Sequence, residues 1–268
     1  MSYKVYLFDA LTPVEWSQAA WRREAEGVST DDCEQELVCD VLLRHLPKDG
    51  LIVDAGCGTA KWPLYLRARG YRVVGIDLSH EAGARARRAS PGFAFVRGDV
   101  RAVPLRDGAV DAVLSLGVVE HDEAGPEAAL REARRILRPG GLLVLGVPFD
   151  NWARRLLLNR LMTRATERRR ASGVRVGFVE YRFDDRELRG FLAQTGFTPI
   201  ACYPNDYRPP LNVGLWVDHQ NVTFNPLAPA SAQDLFRLPG WKGTAAAWLV
   251  RIVPWLVCGE ITYVARAA

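Results

Sequence analysis

The stretch V-D-A-G-C-G-T-A-K, Val53–Lys61, constrains this chain more than any other. Ahead of it, Leu51-Ile52-Val53 is apolar and β-branched, as a buried strand is. Behind it, Trp62–Ala68 carries apolar residues at helical spacing and stops at Gly70, a helix C-terminal signal. The glycines therefore fall in a strand-to-helix turn. Gly56 and Gly58 lack side chains, so a ligand can come up against the backbone, and the helix start offers it free N–H groups.

Two cofactor classes use such a turn. The dinucleotide fingerprint G-x-G-x-x-G needs a third glycine where this chain has Lys61. Asp54, two residues before the first glycine, also puts negative charge where a pyrophosphate would be repelled. An acid beside exposed N–H groups instead suits a ligand bearing both an ammonium and a carboxylate, such as the methionine end of S-adenosylmethionine. Here the chain resembles the class I S-adenosylmethionine-dependent methyltransferases, whose glycine motif is D/E-x-G-x-G-x-G. The match runs from Asp54 through Ala55, Gly56 and Gly58, with Ala60 in the last glycine position. One added methyl group there is expected to crowd the cofactor slightly.

The motifs that follow extend the resemblance. Arg72–Ile76 reads as a second strand ending at Asp77, about 20 residues past the glycine loop. An acid so placed accepts from ribose hydroxyls; the plain alternative is an N-cap for the next helix. The resemblance puts Leu78 beside it in the cofactor site. Phe93–Val96 is a third strand, and Asp99 and Val100 match the positions that meet the adenine amine and ring, the alternative being a turn aspartate. Asp111–Leu116 is the fourth strand, and the resemblance implies that Leu116 at its end meets the cofactor. The loop after this strand, Gly117–His121, is expected to face the transferred methyl, because parallel α/β sheets bind ligands at the carboxyl ends of their strands. His121 is then a general base for the acceptor or a residue that packs under the cofactor. The loop lacks the N/D-P-P-Y/F sequence of many adenine and glutamine methyltransferases, which argues against DNA adenine methylation. L-R-P-G-G-x-L-x-L, Leu137–Leu145, resembles the type 11, ubiquinone-biosynthesis-like branch, as does the Y-x-F at Tyr181–Phe183 ahead of the Arg186–Thr195 helix.

The resemblance implies a Rossmann-like α/β sandwich with a seven-stranded, mostly parallel sheet in the order 3-2-1-4-5-7-6, the last strand antiparallel. With 268 residues, 49% of them hydrophobic, one domain is expected. It would comprise a helical lid over 1–47, a cofactor core over 48–150, and acceptor-side insertions at about 151–180 and 204–245. The first segment is a flap covering the sheet edge, or a lid whose Trp16 or Trp21 helps close the cleft, and Ser29, Thr30 and Asp31 would cap a helix running to His45. Residues 151–175 hold eight arginines and one acid, an excess of +7 against +4 for the whole chain. Trp152, Leu156, Leu161, Met162 and Ala165 share one helical face, with Arg160, Arg164 and Arg168 on another. That is a solvated helix, or one that meets a membrane surface or a phosphorylated acceptor. Nucleic acid is disfavoured, since no aromatics interleave with the arginines. The resemblance implies that the aromatics between Tyr203 and Trp241 shape the acceptor pocket; the alternative is a hydrophobic cap over the sheet with no ligand. Ala245–Cys258 is expected to be a helix bent at Pro254.

Five scattered cysteines without a C-x-x-C pair read as reduced thiols. Together with the absence of a leader, they point to a cytoplasmic protein, peripheral to the membrane if 151–175 docks there. No metal is implied. The function expected is methyl transfer from S-adenosylmethionine, with release of S-adenosylhomocysteine, to a small-molecule or lipid-type acceptor. The alternatives are an RNA or DNA methyltransferase, a non-catalytic S-adenosylmethionine-binding module and a dinucleotide-dependent oxidoreductase.

Overall fold

The computed structural model describes residues 2–8, 29–208, 214 and 240–268. Strand β1 (Tyr3–Phe8) is followed by a 3-10 turn (Cys33–Gln35) and helix α1 (Val38–His45). Then come β2 (Leu51–Ala55), α2 (Lys61–Ala68), β3 (Arg72–Asp77), α3 (His80–Ala89), β4 (Phe95–Arg97) and β5 (Val110–Leu116). Helix α4 (Glu127–Ile136) leads into the long β6 (Leu137–Pro148), a π turn at Arg154–Leu158 and α5 (Asn159–Ala171). The chain continues through β7 (Val176–Arg182), α6 (Asp185–Gln194) and β8 (Phe197–Asn205), and closes with α7 (Gly240–Ile252), α8 (Pro254–Val257) and β9 (Glu260–Ala267).

Seven strands form one sheet in the order β4-β3-β2-β5-β6-β9-β8. Counted within the sheet this is 3-2-1-4-5-7-6, and β9 runs antiparallel to both neighbours. Strand residues alternate between two apolar layers, as the period of two requires. Val53, Val113, Leu143 and Leu145 pack with Leu130 and Ile136 of α4 and with Leu188 and Leu192 of α6. Ile52, Leu114, Val144 and Val264 pack on the other face with Val38, Val41 and Leu42 of α1 and with Tyr65 and Leu66 of α2. Burial on both faces explains why β2 and β5 read as apolar runs rather than alternating ones.

Several expected elements differ. Tyr3–Phe8 is not part of a helical lid: it pairs antiparallel with β7 in a separate two-stranded ribbon. Its partner lies about 170 residues away, so nothing local announces the pairing. Trp16, Trp21 and most of the stretch from Tyr203 to Trp241 lie outside the described residues. The helix expected from the Ser29–Asp31 cluster begins only at Val38. Asp184 does cap α6, accepting from the N–H groups of Arg186 and Glu187. The bend at Pro254 is also present, as a break at Val253 between α7 and α8.

Candidate cofactor and acceptor site

The carboxyl ends of β2, β3 and β5 converge on the glycine turn. The N–H groups of Gly56 and Cys57 both donate to the Ile76 carbonyl, at 2.8 and 3.0 Å, tying the turn to the end of β3. Gly56 has φ +86°, and a Cβ there would sit 2.5 Å from Cγ2 of Val118 in the loop after β5. Only glycine lets that loop approach. Ala60 also takes a left-handed conformation, φ 67°, but its methyl is fully buried beside Ala86 and Phe93. It therefore packs into the core, and the expected crowding of the cofactor does not arise.

Asp77 binds the turn directly. Its Oδ2 accepts from Gly58 N at 2.9 Å and its Oδ1 from Ser79 N at 2.8 Å. Each oxygen retains a lone pair, so the carboxylate can also accept from two neighbouring hydroxyls. Ser79 itself caps α3, taking the structural role open to Asp77. Leu78 next to it is half exposed, at 52%, and offers an apolar face beside the acid. Asp54 is buried at the end of β2. Burial, and then the nearby Asp77 charge, push its carboxyl up to about 7.

Asp99 and Val100 follow β4. Asp99 serves its own turn, accepting from Arg101 N at 2.9 Å, and it also pairs with the Arg101 guanidinium at 2.7 Å. Hydrogen bonds from Arg101 hold its carboxyl below the usual range. Arg101 continues to Asp122 at 3.1 Å, linking the loop after β4 to the loop after β5. Val100 packs half-buried against the core, and Leu116 ends β5 beside Gly146.

His121 lies in a short turn (Val119–His121) and its Nδ1 is 2.8 Å from the Val179 carbonyl of β7. A carbonyl only accepts, so Nδ1 carries the proton and any base role falls to Nε2. Burial pulls the imidazole pKa down, but Glu120, the Val179 carbonyl and Glu180 outweigh it, and the net shift is upward. Nε2 lies 3.9 Å from Glu120 Oε1.

The sequence reading missed the acids around this turn. Glu120 is buried, its Oε2 has no partner among the described residues, and burial raises its carboxyl to about 7. Glu260, at the start of β9, accepts from Asn205 Nδ2 at 2.8 Å. Burial, followed by the charges of Glu36, Glu120, Asp206 and Glu180, raises Glu260 to about 8. Of these, Glu36 is paired with Lys61 at the start of α2, and Glu180 with Arg182 at 3.4 Å. Asn205 Oδ1 and Thr262 Oγ1 are buried acceptors without partners among the described residues. Glu120 adjoins His121 and could have been flagged from sequence; Glu260 gives no signal until β9 returns antiparallel beside β6. Among the described residues no group of acids, histidines and cysteines could hold a metal ion.

Sheet order, glycine turn and the acid at the end of β3 together define a class I methyltransferase domain, the class whose cofactor is S-adenosylmethionine. Residues 53–145 match the family model described as a methyltransferase domain. An uncharacterized protein of a Streptomyces fradiae transposon is 46% identical over 80 residues, 29% of this chain and 23% of that protein. The malonyl-[acyl-carrier protein] O-methyltransferase of Enterobacter lignolyticus is 34% identical over 127 residues, 47% of this chain and 50% of that protein. The chain thus spans no more than half the length of these curated relatives. A solved S-adenosylmethionine-dependent methyltransferase from Methanosarcina mazei has a TM-score of 0.57 at 19% identity, over 85% of this chain and 96% of that one, a likeness of fold.

The residues present suit S-adenosylmethionine. The lone pairs left on Asp77 are those a ribose would use, Leu78 and Val100 offer apolar surface for a flat ring, and no side chain fills the turn at Gly56. Asp99 keeps less capacity, because Arg101 already occupies both of its oxygens.

Proposed function

We propose that this chain transfers the methyl group of S-adenosylmethionine to a small-molecule or lipid-type acceptor held over the carboxyl ends of β5 and β6 and the start of β9. The observation that carries the reading is Asp77, whose two oxygens organise Gly58 and Ser79 while remaining open to a diol. The cofactor supplies a sulfonium-bound methyl that an acceptor atom attacks in line. The protein's work is to align that atom and exclude water. Gly56, Gly58 and Asp54 would receive the amino-acid end, and Asp77 the ribose. His121, fixed through Nδ1, is the group on hand to take a proton from the acceptor through Nε2.

The acids bear on what the acceptor is. The Enterobacter lignolyticus relative is a malonyl-[acyl-carrier protein] O-methyltransferase, whereas Glu120 and Glu260 of this chain have no lysine or arginine partner among the described residues. An acceptor that brings hydrogen-bond donors or positive charge to this end fits them better, since it would satisfy Glu120 Oε2 and Asn205 Oδ1.

Calorimetry with S-adenosylmethionine, S-adenosylhomocysteine and NADH tests the proposal. Both adenosyl ligands should bind and NADH should not, with Asp77→Ala weakening binding about a hundredfold for the loss of two hydrogen bonds to a charged group. Binding of NADH alone, or adenosyl affinity unchanged in the variant, would overturn it.

A further inference from the structure

Exposed apolar side chains are not spread evenly over this molecule. Of the fourteen large hydrophobic residues exposed among the described ones, ten lie in two segments, Trp152–Leu161 and Trp241–Leu256. Monomeric proteins seldom leave such surface in water unless something covers it.

The first segment inverts what the sequence suggests. Met162 is buried, but Trp152, Leu156, Leu157 and Leu161 are 59, 66, 60 and 38% exposed. At 100° per residue, Leu161 falls on the same side of α5 as Arg160, Arg164 and Arg168, and Leu157 lies in the π turn that leads into the helix. Those three arginines are exposed and form no ion pair among the described residues. One outward strip therefore starts apolar and ends cationic.

The second segment is plainer still. Helix α7 buries Ala246 and Val250 and turns out Trp241, Trp248 and Ile252, 77, 62 and 55% exposed. Spaced at i, i+7 and i+11, these three form a single line along the helix. Val253, Trp255 and Leu256 continue the exposed apolar surface past the break. The segments are pinned together at their ends. Asn151 Nδ2 donates to the Cys258 carbonyl at 2.7 Å, Arg154 to the Gly259 carbonyl at 2.6 Å, and the Phe149 and Trp255 rings meet edge to face at 6.1 Å. This junction is where β6 ends and β9 begins, the same edge of the sheet as the glycine turn and Glu260.

We infer that this face, α5 with α7 and α8, docks on the surface of an anionic lipid bilayer. Tryptophans with aliphatic neighbours settle at the boundary between headgroups and acyl chains, and arginines beside them meet lipid phosphates. The charge selects the anionic surface: Arg154 is buried and Arg155 is paired with Asp150 and Asp184, but Arg160, Arg164 and Arg168 present three exposed guanidinium groups along α5. No helix among the described residues is long and apolar enough to cross a membrane, so the contact is with the surface. The inference does not depend on methyl transfer; if both hold, an acceptor dissolved in the bilayer would reach the site along this edge.

The test is co-sedimentation of the full chain with phosphatidylcholine vesicles and with vesicles in which about a third of the lipid is phosphatidylglycerol, a content that gives a strongly negative surface. The chain should bind the anionic vesicles, weaken as salt is raised, and show a blue shift of tryptophan emission. Trp248→Ala with Trp255→Ala should lower partitioning at least about tenfold, and Arg160→Glu with Arg164→Glu should abolish the preference for anionic lipid. All four positions are exposed, so thermal melts should show both variants folded. Failure to bind either vesicle, or binding that neither pair of substitutions changes, overturns the inference. So does a dimer that buries these tryptophans in the absence of lipid, which would make a second copy of the chain the occupant.

Discussion

Gly56 and Ala60 both have positive φ, yet they are not equivalent. At Gly56 an added methyl would meet the Val118 side chain at 2.5 Å, on the wall of the cofactor turn. At Ala60 the methyl is already present and packed in the core. Gly56→Ala should therefore cost about 1–3 kcal/mol of stability from backbone strain alone, and should remove adenosyl binding as the β5 loop is pushed away. Ala60→Gly should change stability by less than about 1 kcal/mol, because relief of the left-handed conformation offsets the loss of one buried methyl. Urea melts of the two variants check the contrast. A Gly56→Ala protein as stable as its parent would mean that the β5 loop does not press on this turn. The sequence pattern marked both positions as glycine-like but could not say which of them faces the ligand.

The ribbon of β1 and β7 matters to the site because the Val179 carbonyl orients His121. What holds the ribbon is aromatic: Phe178 is 8% exposed and packs its edge against Tyr6 at 6.2 Å and Tyr181 at 5.1 Å. Phe178→Ala should cost about 3 kcal/mol. It should also let the His121 imidazole fall back toward its ordinary pKa as the carbonyl anchor loosens. Denaturant melts give the first quantity, and an NMR titration of the His121 ring gives the second. An unchanged titration would show that Glu120 and Glu180 alone set its basicity. Neither strand of this ribbon was expected. β1 is a good strand former, but it would be a lone edge without β7, and β7 follows a helix in a region whose composition speaks only of arginine.

Across the molecule, acids from separate elements are brought close without enough cations to match them. Glu120 and Glu260 titrate near 7 and 8, against an ordinary 4.5. Between about pH 4.5 and 8 the unfolded chain has released these protons while the folded chain keeps them. The unfolded state then binds fewer protons, so stability falls as pH rises through that window. His121, raised in the fold, acts in the same direction. Thermal melts of the ligand-free protein from pH 5 to 8 should show this decline, and Glu260→Gln should flatten it. A decline of the same slope in that variant would place the effect elsewhere. A donor-bearing or cationic acceptor should likewise restore stability at the upper end of the range, by giving the ionised acids a partner.

By itself the sequence determined the parallel strands and the glycine turn. Each strand from β2 to β6 is a local apolar run, Asp54 and Asp77 fall at the ends of β2 and β3 and Asp99 just beyond β4, while the strand order and the roles expected of these acids came from the resemblance. Hydrophobic periodicity is a local property, and the glycine turn is a local solution to a steric demand. Tertiary structure decided the acceptor half. Glu36, Glu120, Glu180, Asp206 and Glu260 come from five separate segments, and their mutual repulsion exists only once β9 has returned beside β6. Which face of α5 and α7 is buried was decided there too. The apolar residues of α7 run most of the way around the helix, so only packing determined that its tryptophans would point outward.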